Sequence, residues 1–551
     1  MALLVDPPQR DSADERPPAR VPSTAPVSTT VVTSELAVES APVEPTRAEP
    51  APAGPPPAEP EHLEPDAPAP DLTKPRLAEP PISGGRVEAL MGKLIRVLSH
   101  SRLARPLPAV VLSALGLGGV AFVGLCATAP RPSVATPPVL LPLTSVARNL
   151  GAPHLPDLVA NLTMYASIGL CCLGLAMMLW ANSRGWSPNP KKVFLAAAGT
   201  IAVLVNITPV GSSDTASYAA YGRIAALGHN PYVFTPIRLH GGAHNAYTML
   251  VSPQWQNTPS VYGPVATWTQ LFAAWIGGDK AWLTIWIILI MTGAAFVAAG
   301  YVLLRTAENP VRAVLLWVAN PLLIVELVMG GHLDALVALA AISAVVLSRR
   351  CTRVWHDLVV GLIVGVAGGI KVSAVLVALG IAIPLIHDRA WARLIRTSVV
   401  AGLTTFSIYW FSYGLSALNP DRKASSQVIS PTVWRLVQAI VGHAFGKHAE
   451  AMATTAIGFS WPVLTLLLAW YLYNRLSPDV PTVVAASCAL TFAWIVVANW
   501  SLPWYASIAW VTLALLPRNG LTRWLTLATG TLAMLHFNGG HPTNVPVGPT
   551  P

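Results

Sequence analysis

Repeated apolar stretches of about 15 to 24 residues constrain this chain more than any other feature, because they are long enough to cross a lipid bilayer as helices. Of its 551 residues 53% are hydrophobic and only 11% are charged, which is too apolar for a soluble globule. The runs predict an all-α polytopic membrane protein with about 13 transmembrane helices. The predicted helices are centred near Leu117, Leu170, Ala198, Leu289, Pro321, Ala340, Leu362, Val377, Thr405, Thr465, Leu490, Ala509 and Leu527.

The N-terminal region differs from the rest of the chain. Residues 1–85 hold about 20 of the 51 prolines and about 14 of the 26 acidic residues, without a single aromatic side chain. Such a segment cannot bury enough apolar surface to offset the entropy of ordering it. We therefore expect a disordered, Pro/Ala/Glu-rich tail over 1–85, a transmembrane domain over 86–540 and a short C-terminal tail over 541–551.

The basic residues indicate membrane topology. The formal charge of +9 comes from Lys and Arg in short loops, with no basic and aromatic stripe of the kind that binds nucleic acid. About 19 basic residues fall in one alternating set of loops and about 10 in the other, so the positive-inside rule predicts a cytoplasmic N-terminus. Two long loops, 211–280 and 414–455, then lie outside. The first includes 265–276, a short amphipathic run suited to the membrane interface.

Asp214 begins the first of these outer loops and is the leading candidate for a general base. Only about 12 acidic residues remain after residue 85, and several, including Asp357, fall in cytoplasmic loops where we expect them to be solvated. The alternative role for Asp214 is an N-cap of a helix that starts at Thr215. On that helix Tyr218 and Tyr221 would share a face.

A second polar cluster lies at another predicted outer boundary. Glu326, His332 and Asp334 fall within nine residues, where ionisable groups are costly and usually face a cavity. A glycine-rich turn between two helices is the alternative interpretation. The spacing matches no compact ligand motif, and the five cysteines form no CxxC or Cys/His pattern, so we expect no metal site.

Cationic and aromatic side chains complete the candidate set. Lys371 follows small residues near the outer boundary and is either a phosphate ligand or a snorkelling lysine. Arg223 is a second candidate phosphate ligand, because a guanidinium binds phosphate bidentately. Trp504 and Tyr505 belong either to an interfacial aromatic belt or to a site that flanks a sugar or lipid. The remaining aromatic candidates for substrate contact are Tyr218, Tyr232, Trp255 and Tyr262.

Seven short motifs occur in order over most of the chain between about residue 107 and residue 505. They are Asp214-Thr-Ala-Ser-Tyr218-Ala-Ala-Tyr-Gly222-Arg, Gly228-His-Asn-Pro-Tyr232, Thr258-Pro-Ser-Val-Tyr262-Gly-Pro264, Asn320-Pro321, Gly330-Gly-His332-Leu-Asp334, Lys371 and Leu502-Pro-Trp504-Tyr505. As an ordered set they resemble the actinobacterial polyprenol-phosphate-mannose-dependent α-(1→6)-mannosyltransferases. Each motif alone is weak.

This resemblance implies a GT-C fold, with residues 86–540 as the catalytic domain. It implies a polyprenyl-phosphate mannose donor, and a mannan or lipomannan-type glycolipid acceptor at the outer face of the plasma membrane. The role of base passes to Asp214, which matches the catalytic aspartate of these enzymes. We accordingly expect an inverting transfer to the acceptor 6-hydroxyl, without a cofactor or a divalent metal.

Two alternatives stay open from the residues themselves. One keeps the fold but uses another polyprenyl-linked sugar, such as an arabinofuranosyl donor. The other is a transporter or flippase of lipid-linked saccharides. Against the carrier, polar groups crowd the outer helix ends instead of the midplane, and no pair of broken helices marks a central site.

Overall fold

The computed structural model describes residues 106–126, 140–350, 353–419, 428–429 and 432–536. The regular secondary structure of these residues is entirely helical, with no β-strand among them. The predicted tails, 1–85 and 541–551, lie outside the described residues. The main helices are α1 Pro106–Leu125, α2 Pro142–Asn149, α3 Asp157–Ser183, α4 Pro190–Leu204, α5 Asp214–Ala226, α6 Pro264–Gly277, α7 Ala281–Thr306, α8 Pro310–Leu316, α9 Asp334–Arg349, α10 Val354–Ile370, α11 Val375–His387, α12 Trp391–Ser412, α13 Val433–Tyr473, α14 Thr482–Val497, α15 Ser507–Leu513 and α16 Leu521–His536.

The protein is a multi-pass membrane protein. In the described ranges, 6 helical segments are long and apolar enough to cross a bilayer. Three shorter apolar helices accompany them, Val354–Ile370, Val372–His387 and Thr482–Val497. Each predicted span centre falls on a helical residue, whereas the total of about 13 crossings stays a prediction. The 6 segments are Pro106–Leu125, Leu158–Ser183, Ala281–Thr306, Pro310–Met329, Trp391–Ser412 and Val433–Tyr473.

The span Pro310–Met329 is interrupted. Its α-helical start, α8, ends at Leu316, and the last six residues, Ile324–Met329, form a π-helical turn. The Asn320 side chain bridges the break: Nδ2 donates to the Leu316 carbonyl at 3.1 Å, and Oδ1 accepts from the Leu322 amide at 3.1 Å. Backbone groups freed inside a membrane need such partners. The span predicted around Pro321 is therefore present as Pro310–Met329, and the structure adds the break within it.

The predicted second outer loop, 414–455, contains a helix in its second half. From Val433 the chain is helical through Tyr473, with one sharp kink at Gly446, where φ is 83° and ψ is 175°. The leg before the kink folds against the leg after it, and Gln438 Nε2 donates to Thr454 Oγ1 at 2.7 Å. The predicted interfacial run 265–276 is likewise a helix, α6, whose exposed face carries Trp268, Phe272 and Trp275 among other apolar side chains.

Ion pairs join the basic loops at the C-terminal end of α9 and at the N-terminal ends of α10 and α12. Asp357, which we expected to be solvated, is only 3% exposed and accepts from Arg393 and Arg396. The expectation was wrong because α10 and α12 pack closely enough to bury the carboxylate between them. Arg349 pairs with Glu308 at 3.3 Å. These contacts join loops that the basic-residue count assigned to one side of the membrane.

Two glycines let separate segments approach Asp214 and Lys371. The Gly263 amide donates to the Ile370 carbonyl at 3.0 Å, and a Cβ at Gly263 would lie 2.2 Å from the Gly369 carbonyl oxygen. Gly331 has a φ of +67°, and a Cβ there would lie 2.3 Å from Thr215 Cγ2. The loop before α6 and the turn before α9 are therefore held against α10 and α5 by contacts that only glycine permits.

We expect Gly331→Ala to lower thermal stability more than Gly228→Ala. Both positions have a positive φ, so each alanine incurs about 1–2 kcal/mol of left-handed strain. Gly228 has φ +80° with no atom within 4 Å of an added Cβ, whereas Gly331 also faces Thr215 and Leu289. Overpacking there adds about 1–3 kcal/mol. Unfolding curves of the two variants in detergent measure the difference, and equal losses would contradict the close approach.

Candidate functional site

The candidate site is built from segments that lie far apart in sequence. The start of α5 contributes Asp214, the loop before α6 contributes Tyr262, and the turn before α9 contributes His332. Lys371, at the end of α10, and Trp504, in a 3-10 turn before α15, lie around them. The sequence predicted all five residues as candidates, and the structure brings them to one place.

Asp214 is the first residue of α5 and does not cap it. The N-cap is Ser213, and no side chain makes a capping hydrogen bond there. The Asp214 amide instead donates to Ser212 Oγ at 3.1 Å. The N-cap alternative considered for Asp214 is therefore wrong. Because the carboxylate has no capping contact to make, it is available for other partners, while its place in the first turn keeps it at the favourable end of the helix dipole.

Three side chains approach one oxygen of this carboxylate, Oδ2. Tyr218, one turn further along α5, donates from its hydroxyl at 3.3 Å, and the Tyr262 hydroxyl lies at 3.5 Å. His332 Nδ1 lies 3.6 Å from the same atom. The two tyrosine rings meet edge to face, with centroids 5.0 Å apart. Tyr218 and Tyr262 therefore brace each other as well as the carboxylate.

Partial burial controls the protonation of Asp214. Its pKa is raised to about 6, chiefly by burial and also by Asp334, against the lowering effects of Lys371 and of the hydroxyls of Tyr218 and Tyr262. A quarter of the Asp214 side chain nevertheless remains accessible to solvent. Burial also raises the pKa of Tyr218 and of Tyr262 well above the usual value, so both remain hydroxyl donors at neutral pH.

Lys371 makes a buried ion pair beside this carboxylate. Its Nζ contacts Asp334 at 2.8 Å to Oδ1 and 3.1 Å to Oδ2, and the two side chains are 12% and 4% exposed. The ammonium also sits over the Tyr505 ring, 3.5 Å from its centroid. Lys371 is thus not a snorkelling lysine, and that alternative is wrong. Tyr505 in turn stacks on Trp494, which the sequence analysis did not single out.

Trp504 is a wall of the site and not a belt residue, because it is 3% exposed. Its ring stacks on His332 with centroids 3.7 Å apart and planes at 12°. On another side it contacts the ring of His536, at the end of α16. The sequence analysis missed His536, since no motif surrounds it and its nearness to Trp504 arises only from the packing of α16.

The other predicted site residues lie elsewhere. Arg223 is in the last turn of α5, about 13 Å along the helix axis from Asp214, and pairs with the exposed Asp279. Tyr232 bonds Thr267 Oγ1 at 2.8 Å, and its ring contacts Tyr413. Trp255 is half-buried in a 3-10 turn of the long loop. The structure therefore does not join these three to Asp214.

Glu326, His332 and Asp334 do not converge as a cluster. His332 faces Asp214 and Asp334 faces Lys371. Glu326 is buried in the π-helical turn, within electrostatic range of Cys171 and Cys172 on α3. Over the ranges that the structure describes, no group of three or more His, Cys, Asp or Glu residues is placed to hold a metal ion.

A family comparison places the chain among known proteins. The family model described as "Alpha-(1->6)-mannopyranosyltransferase, N-terminal domain" matches residues 113–388, about half of the sequence. The chain belongs to this family. The matched region ends before Trp504 and Tyr505. It contains the other residues of the candidate site, namely Asp214, Tyr262, His332, Asp334 and Lys371.

Individual relatives in the family have low sequence identity to the chain but match it over more than half of its length. The chain is 24% identical over 381 residues to alpha-(1->6)-mannopyranosyltransferase A of Corynebacterium glutamicum, covering 61% of this chain and 74% of the relative. It is 25% identical over 433 residues to the protein of the same name from Mycobacterium tuberculosis, covering 66% and 76%. No solved structure matches the chain.

The Lys371 and Asp334 pair allows a double-mutant test. Lys371→Met leaves the buried Asp334 carboxylate without its partner, a change that typically costs about 3–5 kcal/mol. Adding Asp334→Asn removes the unpaired charge, so we expect the double variant to be more stable than Lys371→Met alone. Thermal unfolding of the wild type, both single variants and the double variant measures the coupling. A double variant no more stable than Lys371→Met would contradict a buried pair.

Proposed function

We propose that this protein is an inverting membrane glycosyltransferase that moves mannose from polyprenyl-phosphate mannose to the 6-hydroxyl of an α-1,6-mannan, or lipomannan-type, acceptor. The names of the relatives support an α-(1→6)-mannosyl transfer. The observation that carries the proposal is the Asp214 carboxylate, partly buried beside the Tyr218 and Tyr262 hydroxyls and with a pKa of about 6. That value suits a general base at neutral pH, because the group is ionised yet more basic than an ordinary aspartate.

The two oxygens of Asp214 are assigned different tasks. Tyr218, Tyr262 and His332 all approach Oδ2, and within the described part of the chain no side chain makes a hydrogen bond to Oδ1. We assign Oδ1 to the acceptor. In the reaction the acceptor oxygen forms the new bond to the mannose C1, its proton passes to Oδ1, and the C1–O bond to the phosphate breaks. The bonding electrons leave with the polyprenyl phosphate.

Lys371 is the proposed partner of that phosphate. Asp334 engages its ammonium through two oxygens, and an ammonium has three N–H donors, so one remains for a phosphate oxygen. Because the leaving group gains negative charge as the bond breaks, a fixed positive charge beside it stabilises the transition state. The proposal includes no divalent cation and no other cofactor. Arg223 is not included, because its place beside Asp279 is remote from Asp214.

The proposed orientation places the site at the outer face of the plasma membrane. The opposite helix ends gather Arg349, Arg393 and Arg396, which favours a cytoplasmic location for that side. The exposed apolar face of α6, directly after Tyr262, would then meet outer-leaflet lipid near the site. A lipid-borne donor and a glycolipid acceptor would both reach the site there, within the GT-C architecture that the motifs indicate.

We expect Asp214→Asn to abolish mannosyl transfer without loss of the folded protein. Asparagine keeps the size and polarity of the side chain but cannot accept the hydroxyl proton, and removal of a general base typically costs about 10²–10⁴-fold in rate. The measurement is transfer from radiolabelled polyprenyl-phosphate mannose to a short α-1,6-dimannoside in membranes. The same exchange at Asp388, an exposed residue at the other end of the helices, is the matched control and should leave transfer unchanged.

Normal turnover by Asp214→Asn would remove Asp214 as the base. The linkage of the product in the same assay separates the alternatives. A mannosyl α-1,6 product supports the proposal, a product formed only from a pentose donor favours an arabinofuranosyltransferase, and translocation of the labelled lipid without product favours a carrier. The interruption in Pro310–Met329 weakens one argument against a carrier, which makes the product measurement the decisive one.

We expect the acid limb of the pH profile to fall near pH 6. Asp214 must be ionised to accept a proton, so kcat/KM should be constant above its pKa of about 6 and decrease about tenfold per pH unit below it. An ordinary exposed aspartate would place the limb near pH 4. Samples held at pH 5 and assayed at pH 7 control for denaturation. A limb near pH 4 would contradict a buried base.

A further inference from the structure

His332 is packed in a way that neither membrane anchoring nor substrate contact explains. The residue is 0% exposed, and neither ring nitrogen has a hydrogen-bond partner in the described residues. Burying an N–H group without a hydrogen-bond partner is destabilising. Nδ1 of the ring lies 3.6 Å from Asp214 Oδ2, just beyond hydrogen-bond range. Trp504 stacks on one face of the ring and fixes its plane.

We propose that His332 is a positioning residue, whose neutral ring donates its Nδ1 proton to Oδ2 of Asp214 in the substrate complex and thereby holds Oδ1 toward the acceptor hydroxyl. This inference rests on the proposed function. A shortening of about half an ångström forms the bond, and catalytic hydrogen bonds that are long in a free enzyme commonly tighten in this way. The carboxylate cannot then rotate to present Oδ2 to the acceptor.

Burial, together with nearby basic groups, keeps His332 neutral. Burial lowers the pKa of His332 well below its usual value, Lys371 lowers it further, and His536 adds to the effect. The other ionisable groups that face Asp214 are Lys371, Asp334, Tyr218, Tyr221 and Tyr262. Of these, Lys371 is engaged by Asp334 and the tyrosines stay protonated. A neutral N–H donor stabilises the Asp214 anion without adding a positive charge that would depress its basicity.

The geometry argues against two other roles for His332. A proton relay would require the ring to accept the proton from Asp214, and a histidine that resists protonation is a poor acceptor. Direct contact with the donor phosphate would require an accessible ring nitrogen. Nε2 instead faces Gly330, where an added Cβ would lie 3.0 Å from it, and the residue has no exposed surface.

The test compares three substitutions that distinguish the role of the Nδ1–H donor from the role of the stacked ring. His332→Asn places an amide N–H near the position of Nδ1, His332→Gln places it near that of Nε2, and His332→Phe keeps a ring to stack on Trp504 but has no donor. We expect Phe and Gln to shift the acid limb of kcat, which reports the substrate complex, upward by about 1 pH unit, because the Asp214 anion loses a hydrogen bond there. Asn should leave the limb in place despite losing the ring.

Controls separate this inference from folding and from the proposed base. Thermal unfolding in detergent identifies any variant that fails to fold, and if Phe fails, the comparison of Asn with Gln still decides. The inference would be overturned if the acid limb of the pH profile stayed in place in all three His332 variants, or if it shifted equally in all three. It would also be overturned by an unmoved limb with a raised KM for the lipid donor, which would assign His332 to the phosphate. If Asp214→Asn retains activity, the base itself fails, whatever the His332 variants show.

Discussion

The charge of Asp214 in a partly buried site is the constraint around which the other side chains are arranged. An isolated buried carboxylate would take up a proton and lose its function. Two tyrosine hydroxyls and a histidine approach one of its oxygens, and all three can donate without carrying charge. The nearby cation, Lys371, is held by Asp334. Asp214 therefore stays ionised at neutral pH while keeping enough basicity to accept a proton.

Breaks in the helices make this arrangement possible. Asp214 begins a helix, His332 lies in the turn before another, Lys371 ends a third and Trp504 lies in a 3-10 turn. Polar side chains at such places reach the site while the flanking helices keep their apolar surfaces. Glycine lets two of the breaks approach neighbouring segments, at Gly263 and Gly331. In the interrupted span, Asn320 meets the backbone groups that the break exposes.

Much of the candidate site is readable from sequence, because ionisable residues are rare in an apolar chain and each one is costly. Asp214, His332, Asp334 and Lys371 were all identified in this way. Which of these residues contact each other could not be predicted from the sequence. Glu326, His332 and Asp334 looked like one cluster, but the turn before α9 directs His332 toward α5 while Asp334 faces α10. Short spacing along a chain does not fix direction when a π-helical turn and a glycine with positive φ intervene.

The sequence by itself determined that the chain is helical and membrane-spanning, because runs of apolar residues have no other stable arrangement in lipid. It also determined which few polar residues deserved a functional role. Only the tertiary structure decided that Trp504 is a buried wall of the site and that Lys371 forms an ion pair, instead of both lying at the membrane interface. It also decided that Arg223 lies apart from Asp214. The physical reason is that burial and pairing depend on contacts between residues that are distant in sequence, 37 positions apart for Lys371 and Asp334 and 56 for Arg223 and Asp279, and no local pattern predicts them.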